Sequence, residues 1–221
     1  MKTSDQPQLI SYKTLQRTLG ITGVSLPVIL ILGSIVLDRC CGVQGSISNY
    51  YHTRMGNVFV GYLCAIGLFL WSYKGYPDSW DNLAGNLACV FAIGVAFMPT
   101  SVTPDELSNC LVQETDNGIV GVLHLISAAL LFLVLAAFSL LIFTKGDPQP
   151  TPRKILRNRI YKACGWIMLA GILIMAIYIV WLRQSFPALQ KLSPIFWLEA
   201  LCLWAFGISW LTKGEVILKD K

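Results

Sequence analysis

Charge vanishes from this chain for about a membrane's thickness at a time. No Asp, Glu, Lys or Arg occurs between Arg17 and Asp38, Arg54 and Lys74, Asp81 and Asp105, Asp116 and Lys145, or Lys162 and Arg183. A sixth stretch, between Lys191 and Lys213, holds Glu199 alone. A helix rises about 1.5 Å per residue, so roughly 20 apolar residues cross a hydrocarbon core of about 30 Å. Each stretch meets that length. The sequence therefore predicts an all-α polytopic membrane helical bundle. It forms a single transmembrane domain over residues 1–221, with spans at about 20–37, 56–74, 82–99, 118–143, 163–182 and 195–212. Only 13% of residues are charged, against about 25% in soluble domains, and no separate soluble domain fits. Gly and Pro within the stretches are tolerated because neighbouring helices satisfy the freed backbone groups. The first stretch follows a long polar segment and lacks a small-residue cleavage site, so it reads as a retained helix rather than a signal peptide.

With six spans the connecting segments alternate sides, and the basic residues sort unevenly between them. Lys2, Lys13, Arg17, Lys74, Lys145, Arg153, Lys154, Arg157, Arg159, Lys162, Lys213, Lys219 and Lys221 share one side; Arg39, Arg54, Arg183 and Lys191 lie on the other. The richer side is cytoplasmic by the positive-inside rule, which places both termini in the cytoplasm of a multi-pass cell-membrane protein. The acidic segment from Thr100 to Asn117 then faces outward. The stretch Gly146 to Pro152, followed by Arg153-Lys-Ile-Leu-Arg-Asn-Arg159, reads as a solvated basic loop or an anionic-lipid contact. Nothing suggests nucleic acid, and no repeat at solenoid or transporter scale is visible. Trp71, Trp80, Trp181, Trp197 and Trp210 fall near span ends, as an aromatic belt requires. Asp78, Asp81, Asn82 and Asn86 cluster at the inner end of the third span and suit helix capping, with Asp81 at the positive end of the dipole.

Cys64, Cys89, Cys164 and Cys202 lie within spans and read as packing. Cys40, Cys41 and Cys110 lie in outer loops. If that side is oxidising, Cys110 pairs with Cys40 or Cys41; otherwise all three are free thiols.

Ionisable residues inside a membrane cost about 2.5 to 3.5 kcal/mol on insertion scales, so each is a candidate for function. Glu199 sits about one turn into the sixth span, and His124 about two turns into the fourth. His52 and Arg54 stand at the mouth of the second, after Ser46, Ser48, Tyr50 and Tyr51 and before Asn57. The topology brings all of them to similar depth on the outer side, and three readings stay open. His52, His124 and Glu199 are candidate zinc ligands with a fourth position free. A bound water would then reach a pKa of about 7, making the three candidate catalytic residues. Alternatively, the set lines a metal-free pocket. Ser48, Arg54, Asn57 and Ser127 are candidate ligand-binding residues in either case, with Arg54 suited to an anionic group. In the third reading the polar groups are structural: Glu199 pairs with Arg54, and each His donates to a backbone carbonyl or to Asp116.

The run Ser48-Asn-Tyr-Tyr-His52-Thr53 resembles the S-x-x-x-H-T segment in the second helix of the alkaline ceramidase and progestin/adipoQ receptor superfamily. That resemblance implies an intramembrane zinc site at Ser48 and His52 and hydrolysis of lipid amides. It covers six residues. No Asp follows within the second span, and Trp197-Leu-Glu199-Ala-Leu stands where the family carries H-x-x-x-H. The family also usually has seven helices. A looser likeness, over most of the chain, is to small six-helix bacterial membrane proteins with a DRAM-like layout. These carry S-I-S or I-S in the first outer loop, here Ser46-Ile47-Ser48, followed by a second span opening Gly56-Asn-Val-Phe. It implies a fold and scarcely any chemistry.

The expected function is binding, with hydrolysis or sensing as extensions, of a lipid or other amphiphile in a pocket open to the outer leaflet. An enzyme of this kind would be a membrane-embedded lipid hydrolase, zinc-dependent if the metal reading holds. The alternative is a non-enzymatic scaffold or subunit whose polar cluster is a structural ion pair. The bilayer and a bound lipid are the expected partners, and a homo-oligomer or a membrane partner protein is compatible. A pore needs a polar stripe along a whole helix, which the apolar inner halves of the second, fourth and sixth spans do not supply. Gly33, Gly61, Gly67, Gly85, Gly94, Gly165 and Gly171 are expected to let helices approach closely.

Overall fold

Every uncharged stretch contains a helix in the computed structural model, which describes residues 12–39, 42–73, 80–102, 117–145 and 151–218. Helix α1 spans Tyr12–Asp38, α2 Gly56–Trp71 and α3 Asp81–Phe97. Helix α4, Gly118–Ala137, continues through a π turn at Phe138–Ile142. Helix α5, Pro152–Ile177, continues through a second π turn at Tyr178–Leu182 and a last turn at Arg183–Ser185. Helix α6 is Pro194–Lys213, and 3-10 turns occupy Ser48–His52 and Pro187–Leu192. The chain is all-α among the described residues. Four helices, α1, α6 and the extended α4 and α5, are long and apolar enough to cross a membrane. Helices α2 and α3 are equally apolar in character but have 16 and 17 residues.

Two boundaries depart from expectation for one reason: a hydropathy criterion sees only the part of a helix that meets lipid. Helix α1 begins at Tyr12, well before its apolar run. Helix α5 begins at Pro152, so the basic stretch Arg153 to Lys162 is helix rather than loop. Thr151 Oγ1 accepts the Lys154 N–H at 3.2 Å, and Pro152 supplies a fixed φ at a position whose N–H would lack a partner anyway.

Each helix packs on its neighbours in sequence, and α6 closes the ring by packing on α1. Close approach at the closing seam depends on glycine. A Cβ on Gly20 would lie 2.8 Å from the Gly207 carbonyl oxygen, and one on Gly207 would lie 2.7 Å from the Gly20 carbonyl oxygen. Of the expected contact glycines, Gly67 faces Ala92, Gly94 faces Ser127 and Gly171 faces Cys202, whereas Gly61 faces open space. Helix α6 is the most enclosed, burying Phe196, Ala200, Leu203, Phe206 and Trp210 among others. Trp210 is therefore no belt residue. It is fully buried in a cluster with Tyr73, Phe138 and Phe143, the last at a ring-centroid distance of 4.9 Å. Trp71, Trp80, Trp181 and Trp197 are exposed.

Outward faces of the helices are apolar: Leu32 and Val36, Leu68, Val90, Leu133, Leu173 and Leu201 are all exposed. Such a continuous apolar exterior is foreign to soluble monomers and compatible with a lipid-facing bundle. At one end of the ring, where α1 begins and α6 finishes, Lys13 Nζ meets Glu215 at 2.6 Å and Arg17 Nε donates to the Gly214 carbonyl. Asp81, fully buried, is paired there with Lys145 at 2.6 Å. Asp81 is the first residue of α3, where its charge also meets the positive end of the helix dipole. The opposite end, where α1 finishes and α6 begins, carries the candidate site.

Candidate functional site

Between α1 and α2 the chain folds into the mouth of the bundle instead of looping away from it. Gln44, Ser46, Ser48, Asn49 and Tyr50 are all buried, an unusual density of polar residues. Glu199, on the second turn of α6, holds this segment down by accepting the Ile47 N–H at 2.6 Å, and the Phe196 N–H donates to the Gly45 carbonyl at 3.1 Å. Ser46 Oγ accepts the Asn49 N–H and donates to Asn49 Oδ1 at 2.9 Å. That network fixes the amide, leaving Asn49 Nδ2 buried without a partner among the described residues.

Both histidines close on the residues that follow α3. His124, on α4, donates from Nδ1 to the Met98 carbonyl at 2.6 Å, satisfying an oxygen at the helix C-terminal end that the helix cannot. His52 donates from Nε2 to the Thr100 carbonyl at 2.7 Å, and Asn117 Nδ2 donates to the same oxygen at 2.7 Å. Since carbonyls only accept, these bonds place the proton on Nδ1 of His124 and on Nε2 of His52. Gly121 permits the close approach of α4 to this segment: a Cβ there would collide with Ser101 Oγ. His124 is 2% exposed, and its Nε2 has no hydrogen-bond partner among the described residues.

Between these elements lies a cavity of about 500 Å³, within the usual range for small-molecule sites. Ser46, Ser48, Asn49, Thr100, Ser101, His124, Arg183 and Glu199 form its polar lining; Val122, Leu125, Ala128, Ile179 and Ile195 form the apolar one. Helix α4 touches α6 only lightly, which leaves room for it. The π turn of α5 brings Ile179 and Arg183 to the wall, and such turns recur at functional sites. Val122 and Leu125, which line it, are each about half exposed.

Of the residues singled out from sequence, Ser48, His124 and Glu199 line this cavity. His52 stands behind Thr100. Arg54 and Asn57 line a separate, smaller pocket of about 260 Å³ with Tyr51 and Thr53. Ser127 lies against Gly94 in the α3–α4 seam. Arg54 does not pair with Glu199: its Nε lies 3.5 Å from Asp38, and its Nη1 donates to the Leu37 carbonyl, because the end of α1 is its nearest neighbour. Cys40, Cys41, Cys110 and Asp116 lie outside the described residues; Cys64, Cys89, Cys164 and Cys202 are free thiols.

The donor set does not fit a zinc ion. Among the described residues, no group of three or more His, Cys, Asp or Glu is placed to hold a metal. His52 and His124 are turned to carbonyls of the segment after α3 and Glu199 to the Ile47 N–H, and the Ser48–His52 run is a 3-10 turn at the bundle mouth. A zinc-bound water has no first shell to form on, and catalytic roles for the three through such a metal lose their basis.

Asn49, Thr100, Ser101 and Arg183 are the wall residues that sequence reasoning passed over. For Thr100 and Ser101 the one signal was Pro99 directly after an apolar run, marking a chain reversal whose carbonyls need donors. Asn49 Nδ2 and His124 Nε2 are buried with no hydrogen-bond partner among the described residues, which typically costs on the order of 1–3 kcal/mol for each. No family model, curated protein or solved structure matches the chain.

Proposed function

We propose that this chain is a six-span cell-membrane protein, with both termini cytoplasmic, whose outer-side cavity binds a lipid or other amphiphile. The observation that carries the reading is the cavity's mixed wall: Ser46, Ser48, Asn49, His124, Arg183 and Glu199 among its polar residues, and Val122, Leu125, Ala128, Ile179 and Ile195 among its apolar ones, with Val122 and Leu125 about half exposed. An amphiphile entering from the bilayer satisfies both. The distribution of charge supports the orientation: the end with α1's start and α6's finish carries Lys13, Arg17, Lys145, Arg153, Lys154 and Lys213, and the cavity end carries Arg39, Arg54, Arg183 and Lys191. Mass spectrometry of organic extracts from detergent-purified protein tests the reading. A discrete amphiphile is expected with wild type and should be missing from Ala128→Phe, which fills the cavity. Identical extracts from both would overturn it.

A second reading, a scaffold or partner subunit held together by its polar groups, is favoured by one observation. His52, His124 and Arg54 are all engaged with the protein itself. Under it, Glu199→Gln lowers thermal stability by releasing the Ile47 segment, while no amphiphile is lost. The polar lining serves binding in one case and packing in the other, and the extract comparison separates them.

A further inference from the structure

Helix α5 with the turns that extend it runs from Pro152 to Ser185, 34 residues. At about 1.5 Å per residue it is roughly 50 Å long, against a hydrocarbon core of about 30 Å. The uncharged run between Lys162 and Arg183 is itself about 30 Å long and fills that core. Lys162 then falls at the edge of the hydrocarbon and Arg159 about 4.5 Å beyond it, at the depth of the lipid head groups. No acidic residue occurs in the sequence between Asp147 and Glu199 to offset them.

Most basic side chains at this end of the bundle are already engaged with the protein. Lys13 meets Glu215 and Lys145 meets Asp81, each at 2.6 Å. Arg17 donates to the Gly214 carbonyl, and Lys154 donates to the Phe143 carbonyl at 2.9 Å beside the Tyr161 ring. Lys213 lies over the Phe143 ring, and Arg153 and Arg157 also have partners. Arg159 and Lys162 differ. Both are exposed, and neither meets a hydrogen-bond or ion-pair partner among the described residues. At helical spacing they share one face of α5 with Ala163 and Trp166, also exposed, the Trp at 65%. Tyr161, Cys164 and Gly165 are buried, so the basic face is the one turned away from the bundle.

We propose that the Arg159–Lys162 face of α5 binds the phosphate of an anionic phospholipid in the leaflet that the start of α5 enters, the cytoplasmic one. The inference rests on the membrane-spanning reading and orientation above and is independent of the cavity. Arg159 offers phosphate oxygens a planar fork of donors, and Lys162 adds a point charge one turn nearer the core. Ala163 leaves space beside them for the glycerol. Trp166, a further turn inward, lies at the depth where an indole meets the first methylenes of the acyl chains. A zwitterionic head brings a cation of its own to two basic residues and gains less.

The probes are phosphatidylglycerol and phosphatidylcholine with identical palmitoyl and oleoyl chains, and glycerol 3-phosphate, which has the head-group chemistry without chains. Each is offered at equal concentration to the purified full-length protein in detergent, and retention is read by native mass spectrometry. A basic residue near a membrane surface is worth roughly a factor of five toward anionic lipid, so two should retain phosphatidylglycerol about tenfold or more above phosphatidylcholine. The double variant Arg159→Gln, Lys162→Gln should lose that preference, and Lys191→Gln, an exposed base at the opposite end, should keep it. Glycerol 3-phosphate should not be retained. Equal retention of the two lipids, or a preference unchanged in the double variant, would overturn the inference. Retention of glycerol 3-phosphate to the same extent would make the face a site for soluble phosphates and overturn it as well. Preference lost in Ala128→Phe but kept in the double variant would put the lipid in the cavity, overturning this inference and leaving amphiphile binding standing. Detergent has no sides, so the result does not depend on which way the chain is inserted.

Discussion

Asp81 and Asp38 each meet a basic residue, yet the two pairs differ in what their loss should do. Asp81 is fully buried at the start of α3, and Lys145 reaches it at 2.6 Å. Removing the amine leaves a buried carboxylate short of its counter-charge, which typically costs about 3 to 5 kcal/mol. Arg54 lies 3.5 Å from Asp38 with its side chain 75% exposed, and such pairs contribute at most about 1 kcal/mol. Lys145→Ala is therefore expected to lower the unfolding temperature in detergent by many degrees, and Arg54→Ala to leave it nearly unchanged. Adding Asp81→Asn to the Lys145 variant should restore most of the loss. His124→Phe keeps the ring's bulk but strands the Met98 carbonyl, at about 1 to 3 kcal/mol. The same thermal scans measure it. Residues like these also mark how far a sequence can be read at this scale. An ionisable group stands out in an apolar run, so His124 and Glu199 are visible as belonging together. Their partners are backbone carbonyls and N–H groups, which no sequence displays. Asn49, Thr100 and Ser101 are ordinary loop residues until the fold buries them, and Arg183 reads as a span boundary until a π turn brings it to the cavity.

Helix seams carry the next level of specificity. Gly20 and Gly207 oppose one another so closely that either Cβ would meet the other's carbonyl oxygen at under 3.0 Å. Backbone offers no flexible side-chain end to give way, so the ring-closing contact of α6 on α1 should not accommodate Gly207→Val. A loss of about 3 kcal/mol is expected, from forced separation of the helices. Gly61→Ala provides the contrast: nothing lies within 4 Å of that position, and alanine is the better helix former by about 1 kcal/mol. Thermal unfolding of the two variants, followed by tryptophan fluorescence, should show a marked fall for the first and no fall for the second. Apolar length predicted the helices themselves well, because lipid permits few alternatives. It was silent on α5's basic first turns and on Trp210, since a helix outside lipid and a ring turned toward a neighbour leave no trace in hydropathy.

For the molecule as a whole, the number of spans turns on how α2 and α3 meet the bilayer. At about 1.5 Å per residue their 16 and 17 residues reach roughly 24 to 26 Å, short of a hydrocarbon core of about 30 Å. Helix ends that fall short by a few ångströms can be met by local thinning of the bilayer at modest cost. If they are met in this way, the α2–α3 connection reaches the cytoplasmic side and the chain has six spans. If not, the pair is a hairpin that turns within the membrane. Counting the sides of α1 and α5 cannot separate the two, because a hairpin that enters and leaves on one side preserves the parity of every later helix. The discriminating position is Asn82, exposed on the first turn of α3. In a background with all native cysteines replaced, Gln184→Cys should react with a membrane-impermeant maleimide on intact cells, and Thr14→Cys only after permeabilisation. Asn82→Cys should behave like Thr14→Cys if there are six spans. Protection of Asn82→Cys under both conditions would make α2 and α3 a re-entrant pair, and exchange of the Thr14 and Gln184 results would invert the orientation and put the cavity on the cytoplasmic side.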